Sequence, residues 1–290
     1  MNTSMRACLA LLLCISSVAF AQGGGLSGGE FDYVVVPGDY LIKIGARYGV
    51  SAKVIARENR IDYDGRIFPG KHLHIDNRHI VPEGIADGIL INLPQRMLFF
   101  FREGQFRNAY PVGLGKPSWP TPEGDFRVVE LVENKTWIVP KSIQEEMRRE
   151  GKVVLKRVPP GPDDPLGKFW MGLSMPGYGI HGTIAPASVY HFQSHGCIRM
   201  QADDIAEIFG KSKVGMTGKI IYRPLLLAVE GNGKIYIESH PDIYKRGFDY
   251  LKAAHELAGA AGSRLDWTLA EQVIDMKDGV ARDVTLKGNP

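Results

Sequence analysis

Apolar residues fall in two alternating periods along the first part of the chain. "FDYVVV" (31–36) alternates apolar and polar positions as a half-buried strand does, and Pro37-Gly38-Asp39 turns it. "YLIKIGARYGV" then sets Leu41, Ile44 and Tyr48 at helical spacing. "SAKVIARENR" repeats that period with Val54, Ile55 and Glu58 on successive turns, behind Ser51 as N-cap. Pro69-Gly70 precedes a short strand, "KHLHID". Strand, helix, helix, strand describes a small module over 31–76. "QGGGLSGGE" (22–30) ahead of it reads as a flexible leader, and "NRHIVPEGIADG" (77–88) behind it as a linker.

From Ile89 the pattern is that of strands. "ILINLPQRMLFFF", a turn at "REGQ" and "FRNAYPVGLG" form hairpin-connected strands, continued by "GDFRVVELV" and "KTWIV". "SIQEEMRREG" predicts a short helix with Ser142 as cap and Glu145 completing a capping box. "VPPGPDDPLG" follows as a stiff proline-rich loop, suited either to line a site or to cover an edge. "ADDIAEIFGK" is a helix with Ile205, Ile208 and Phe209 on one face and Asp203-Asp204 in its first turn, where the dipole favours anions. "GKIIYRP" returns as a strand. Residues 224–290 predict a strand pair around Asn232-Gly233, a helix over "YKRGFDYLKAAHELAGAA" and a second over "DWTLAEQVIDMK". The chain has no internal repeat. The fold class is mixed and β-rich, with a small α+β region at the end.

The first 21 residues break both periods. Arg6, the apolar "ACLALLLCISSVAF" and Ala19-Phe20-Ala21 predict a cleavable signal peptide, and hence an exported, periplasmic protein beginning at Gln22. Cleavage would lower the formal charge of +3 by one, too little to attract nucleic acid. It would also remove Cys8 and Cys14. Of three cysteines, Cys197 would remain alone. An exported protein normally pairs its cysteines, so a single thiol is either a small buried hydrophobe or a reactive group.

Its neighbours favour reactivity. "IHGTIAPASVYHFQSHGCIRM" (180–200) gathers His181, His191, His195 and Cys197. A thiol becomes a nucleophile when a base takes its proton, and histidine does so near neutral pH. Gly182 and Gly196 allow sharp turns and close substrate approach, and backbone N–H groups at such turns can hold an oxyanion. His195 shares a strand face with Cys197, whereas His181 reaches it only if two segments converge. Spacing does not choose between them. As zinc ligands, the three histidines and the cysteine match no standard spacing.

Two resemblances sharpen this reading. Tyr33-x-Val35-x-x-Gly38-Asp39, Leu41, Ile44, Tyr48-Gly49-Val50, Asn59 and Pro69-Gly70-x-x-Leu73 resemble a LysM domain, with Tyr40 where that family has a small hydroxyl residue. The resemblance implies binding of N-acetylglucosamine-containing glycan, and so of peptidoglycan. "IHGT" followed by "SHGCIRM" is similar to the signature of the YkuD-type L,D-transpeptidase catalytic domain, with "YPVGLGKPSWPTPEGDF", "TWIVPKS" and "VPPGPDDPLG" upstream. The likeness covers roughly 87–223 and follows the periplasmic, ErfK/YbiS-like branch. It implies a β-sandwich-like catalytic domain with peripheral helices. It also implies Cys197 as nucleophile, His181 as base oriented by the Gly182 carbonyl, and His195, Gly196 and the Cys197 amide shaping the site and oxyanion hole. Ser194 and Arg199 belong to the motif as substrate contacts, and Tyr190 and His191 narrow the pocket. No metal or organic cofactor is implied.

The implied function is thioester-mediated transpeptidation of tetrapeptide stems in cell-wall biogenesis, with carbapenem sensitivity. The acceptor is an amine from another stem, a lipoprotein lysine or a free D-amino acid. Two alternatives stand beside it. With water as acceptor the protein is an L,D-carboxypeptidase or crosslink hydrolase; with a silent catalytic domain it is a peptidoglycan-binding protein. The intact His-Gly and Ser-His-Gly-Cys motifs argue against the last.

Overall fold

The computed structural model describes residues 24–287, so the predicted signal peptide lies outside the described residues. Strand Glu30–Val34 pairs antiparallel with His72–Asp76, and between them lie helices α1 (Leu41–Tyr48) and α2 (Ala52–Glu58). Leu41, Ile44, Val54, Ile55, Leu73 and Ile75 close a small core of their own. Ser51 occupies the N-cap of α2 but its side chain makes no cap hydrogen bond.

The leader and linker expectations are overturned. Leu26–Ser27 pairs with His79–Ile80, and His79, Ile80 and Val81 are buried. Apolar residues at 80 and 81 have surface to bury, and the strand pairing satisfies their backbone. Residues 79–82 are therefore packed structure, while 83, 84, 86 and 87 stay exposed. The module is fastened from the far end of the chain as well: Arg57 meets Asp278 at 2.7 Å, Arg282 meets Glu58 at 2.6 Å, and Val280 enters the module's core.

The central element is an eight-stranded mixed sheet. Its order is Ile198–Arg199, Gly179–His181, Phe169–Leu173, Gly124–Glu133, Thr217–Ile221, Gly88–Asn92, Met97–Arg102 and Gln105–Pro111. Both faces are covered, which explains the unbroken apolar runs "ILI" and "MLFFF". Ile89, Ile91, Leu98 and Phe100 point into the main core with Val128, Met171, Ile180 and Ile198. Leu90, Met97, Phe99 and Phe101 point to a second cluster on the opposite face.

Helix α3 (Lys141–Arg149) begins before Ser142, with Pro140 flanking it and no side-chain cap, so the predicted capping box is absent. None of its residues is buried. α4 (Ala202–Lys211) buries Ile205 and Ile208 as its pattern requires. The end of the chain is a three-stranded sheet covered by α5 (Tyr250–Ala258) and α6 (Trp267–Met276). α5 is shorter than its pattern suggested. Gly247 takes a φ of 72° and the Asp249 carboxylate accepts the Lys252 N–H at 3.0 Å, starting the helix there.

Candidate active site

Strand pairing closes the sixteen-residue gap between His181 and Cys197. Gly179–His181 runs parallel to Ile198–Arg199, with His181 opposite Arg199. Side chains two apart on a strand share a face, so His181, Arg199 and Cys197 meet on one side. All three line a cleft of about 730 Å³ together with Ser194 and His195.

The turn before the thiol is built from its own residues. Ser194 Oγ donates to the Cys197 carbonyl at 2.6 Å and accepts the Gly196 N–H at 3.1 Å. Thr121 Oγ1 donates to the Gly196 carbonyl at 2.9 Å. Gly196 has a φ of 103°, and a Cβ there would lie 2.5 Å from the Tyr178 ring, so no other residue fits. Two expectations change. The Ser194 hydroxyl is engaged within the turn although Ser194 still lines the cleft, and the Gly196 N–H is already bonded.

His181 is buried, and its Nδ1 lies 2.6 Å from the Gly182 carbonyl. A carbonyl can only accept, so Nδ1 carries the hydrogen and Nε2 keeps its lone pair. Trp170 stacks on the ring at 5.8 Å between centroids and donates its own N–H to Glu130 at 2.9 Å. Burial and the nearby Arg199 guanidinium pull the imidazole down to about 4. Burial pushes the Cys197 thiol up, and its Sγ faces the Gly177 carbonyl at 3.8 Å. At neutral pH the resting pair is thus thiol and neutral imidazole, not an ion pair. Arg199 is half-buried and, among the described residues, has no carboxylate within ion-pair distance.

His195 is directed elsewhere. Its Nε2 bonds Glu146 of α3, and Trp119 meets it edge-on with centroids 4.5 Å apart. Lys116 also reaches Glu146, at 2.8 Å, and the two partners hold that carboxylate down at about 2. Ile143 and Met147 of α3 complete that wall of the cleft. The sequence reading missed Trp119, Trp170 and the α3 residues. A helix over "SIQEEMRREG" was expected, but nothing showed that its apolar residues Ile143 and Met147 face a cleft instead of a core.

Tyr190 and His191 do not line the cleft. Tyr190 is 3% exposed and belongs to the cluster on the opposite face of the sheet. Its aromatic ring is buried among apolar side chains, which overturns the expectation that it contacts substrate. Nor do the four candidate metal ligands of 181–197 converge, since His195 is tied to Glu146.

A different trio does gather among the described residues: His79, Glu238 and His240, all buried. His79 Nδ1 and His240 Nε2 each lie 2.7 Å from the same Glu238 oxygen. Ligands of a tetrahedral ion bound at the usual ~2.0–2.1 Å stand about 3.3 Å apart. The other Glu238 oxygen accepts the Ile80 N–H at 2.6 Å and the Gln95 amide at 2.9 Å. The Glu238 carboxylate is thus the saturated centre of a hydrogen-bond hub, while His240 Nδ1 is buried without a partner.

Residues 86–222 match the L,D-transpeptidase catalytic domain, YkuD, and residues 33–76 match the LysM domain. The chain thus carries a YkuD L,D-transpeptidase catalytic domain behind an N-terminal LysM domain. It is 30% identical over 183 residues to the "Probable L,D-transpeptidase ErfK/SrfK" of Salmonella typhimurium, covering 62% of this chain and 59% of that protein. It is 32% identical over 173 residues to the "Probable L,D-transpeptidase YbiS" of Escherichia coli, covering 59% and 56%. The match therefore spans less than two thirds of these relatives. Among solved structures, L,D-transpeptidase 3 from Mycobacterium tuberculosis has a TM-score of 0.38 at 13% identity, covering 54% of this chain and 76% of that one. That likeness is too loose to bear on any residue.

Proposed function

We propose that the protein is a periplasmic L,D-transpeptidase acting on peptidoglycan tetrapeptide stems through a thioester on Cys197. One observation carries the reading: a half-buried thiol shares a cleft with a histidine whose Nδ1 is fixed by the Gly182 carbonyl, leaving Nε2 to act as a base. Nε2 takes the Cys197 proton as sulfur attacks the diaminopimelate carbonyl bonded to the terminal D-alanine. The oxyanion forms at the Cys197 amide. Collapse gives the thioester, and His181 returns its proton to the departing D-alanine. An acceptor amine then attacks the thioester, His181 removes the amine's proton, and that proton goes back to sulfur as the new amide forms. The unpaired Arg199 suits a stem carboxylate.

Mass spectrometry of muropeptides after incubation with the full chain tests the reading. New diaminopimelate crosslinks or exchanged D-amino acids support it. Tripeptide product alone, with added amines present, would make water the acceptor, and unchanged stems would defeat the enzymatic reading. His181→Ala is expected to lower acylation near pH 7 by about 10²–10⁴-fold, the usual scale for a general base. His195→Ala is expected to lose less, because its ring is bonded to Glu146. The reverse ranking in folded variants would transfer the role of base.

The LysM domain supplies glycan contact in this proposal. Exposed Tyr40, Tyr63 and Phe68 line a groove with Asp39 and Arg66, and exposed aromatic faces suit sugar rings. Phe68→Ala is expected to weaken sacculus pull-down several-fold while leaving turnover of soluble tetrapeptide intact. Unchanged pull-down would remove the groove from the glycan site.

A further inference from the structure

Tyr190 sits in the excursion that separates the candidate base from the nucleophile. Its backbone φ is 62°, a left-handed conformation that a bulky residue adopts only when its surroundings impose it. The ring supplies that hold. The Arg96 guanidinium lies over it at 4.1 Å from the centroid, and the His79 ring stands 6.2 Å away. His79 is itself fixed on both sides, by the Gly49 carbonyl of the LysM domain at 2.8 Å and by Glu238. A second brace acts on the same excursion. α1 packs against its 3-10 turn, Pro186–Ser188, and the Gln201 amide reaches both the Ala46 carbonyl at 3.3 Å and the Pro186 carbonyl at 3.1 Å.

The excursion thus carries His181 at one end and Cys197 at the other, and is gripped from behind by residues outside the catalytic strands. We propose that Tyr190 is a positioning residue for the Cys197–His181 pair, and that the LysM domain, through α1 and the His79 contact, is part of the catalytic apparatus as well as a tether. This rests on the reading of Cys197 and His181 as nucleophile and base. With the ring removed, residues 183–196 lose one of their two braces, the thiol gains solvent, and its placement beside His181 in the cleft is lost.

The test uses the full chain and two readouts. One is kcat and KM on soluble tetrapeptide. The other is the pH profile of Cys197 alkylation by iodoacetamide, which needs no substrate; Arg199, the charged group beside the thiol, is intact in every variant. Tyr190→Phe is expected to match wild type within about twofold, because the Tyr190 hydroxyl is buried without a partner. Tyr190→Ala and Tyr190→Gly are expected to lose about 10²-fold in kcat with little change in KM, the scale of a misplacement near 1 Å. Their alkylation midpoint should move down toward the ordinary thiol range. Glycine is the sharper variant, since it keeps the left-handed backbone without strain and removes only the ring.

A fall in Tm with kcat and the alkylation profile unchanged would reduce Tyr190 to packing and overturn the proposal. Gln201→Ala, a partly exposed site, decides the matter if the Tyr190 variants do not fold. A smaller downward shift of the midpoint supports the brace, and an unchanged profile overturns it. If wild type turns over no stem, the proposed activity fails, while the alkylation profiles still decide the role of Tyr190.

Discussion

Cys197→Ser is expected to abolish turnover while leaving the fold intact. The loss in kcat should be on the order of 10⁴-fold or more, because a nucleophile and its base act as a unit and removing either forfeits most of their joint effect. The reason is specific to this site. His181 is drawn down to about 4, so it is a weak base. It can take a proton from a thiol during attack, but a serine hydroxyl is far harder to ionise. The swap removes almost no volume and leaves the Ser194 bonds of the turn in place, so Tm should change little. The same thiol should be acylated by a carbapenem, whose strained amide presents a similar carbonyl. Intact mass should show protein plus drug, mapping to the peptide that contains Cys197, and the serine variant should show neither adduct nor crosslinking. Turnover by the serine variant at the parental rate would remove Cys197 from the chemistry.

Glu238→Ala is expected to be the most destabilising single change away from the cleft, at about 3–5 kcal/mol, the scale for breaking a buried ion pair by removing one partner. Glu238 is fully buried and accepts four hydrogen bonds, from His79, His240, Ile80 and Gln95. Its loss would strand four donors at the junction of the LysM domain, segment 79–81 and the terminal sheet. The pH dependence has a definite sign. His79 and His240 hold the carboxylate down at about 2. Its stabilising contribution is therefore complete above its ordinary value of 4.5 and lost as the pH falls toward 2. His240, lowered by burial, acts in the same direction from about 6.5 downward, because the unfolded chain takes up the proton more readily. Denaturant melts of wild type should therefore show stability falling from pH 7 to pH 4, and a level or rising stability over that window would refute the assignment.

Much of this architecture was legible because its signals are local. The periods of α1, α2, α4 and the hairpin strands are set by residues within one or two turns of each other. The Ser-His-Gly-Cys turn was legible for the same reason, since Ser194, Gly196 and Cys197 satisfy one another. What escaped was decided by distant partners. Segment 77–88 carries turn-like residues, yet Glu238 and the Leu26–Ser27 strand fix His79 and Ile80 in place. Tyr190 looked like a pocket residue because it precedes the motif, but Arg96 and His79 draw its ring to the other face. The α3 wall was invisible because amphipathic spacing does not say whether an apolar face meets a core or a cleft.

The raised thiol has one more consequence, and it concerns survival rather than turnover. Peroxides and disulfides attack the thiolate, and susceptibility follows thiolate character and exposure. Cys197 is the only free cysteine among the described residues, so it has no neighbouring thiol to resolve a sulfenic acid. Burial pushes its pKa up and so favours the protonated form, and under the proposed mechanism the anion forms only as a substrate carbonyl receives it. On that mechanism an oxidant in the surrounding medium meets a resting sulfur that is largely unreactive toward it, and the step that arms the nucleophile is also the step that consumes it.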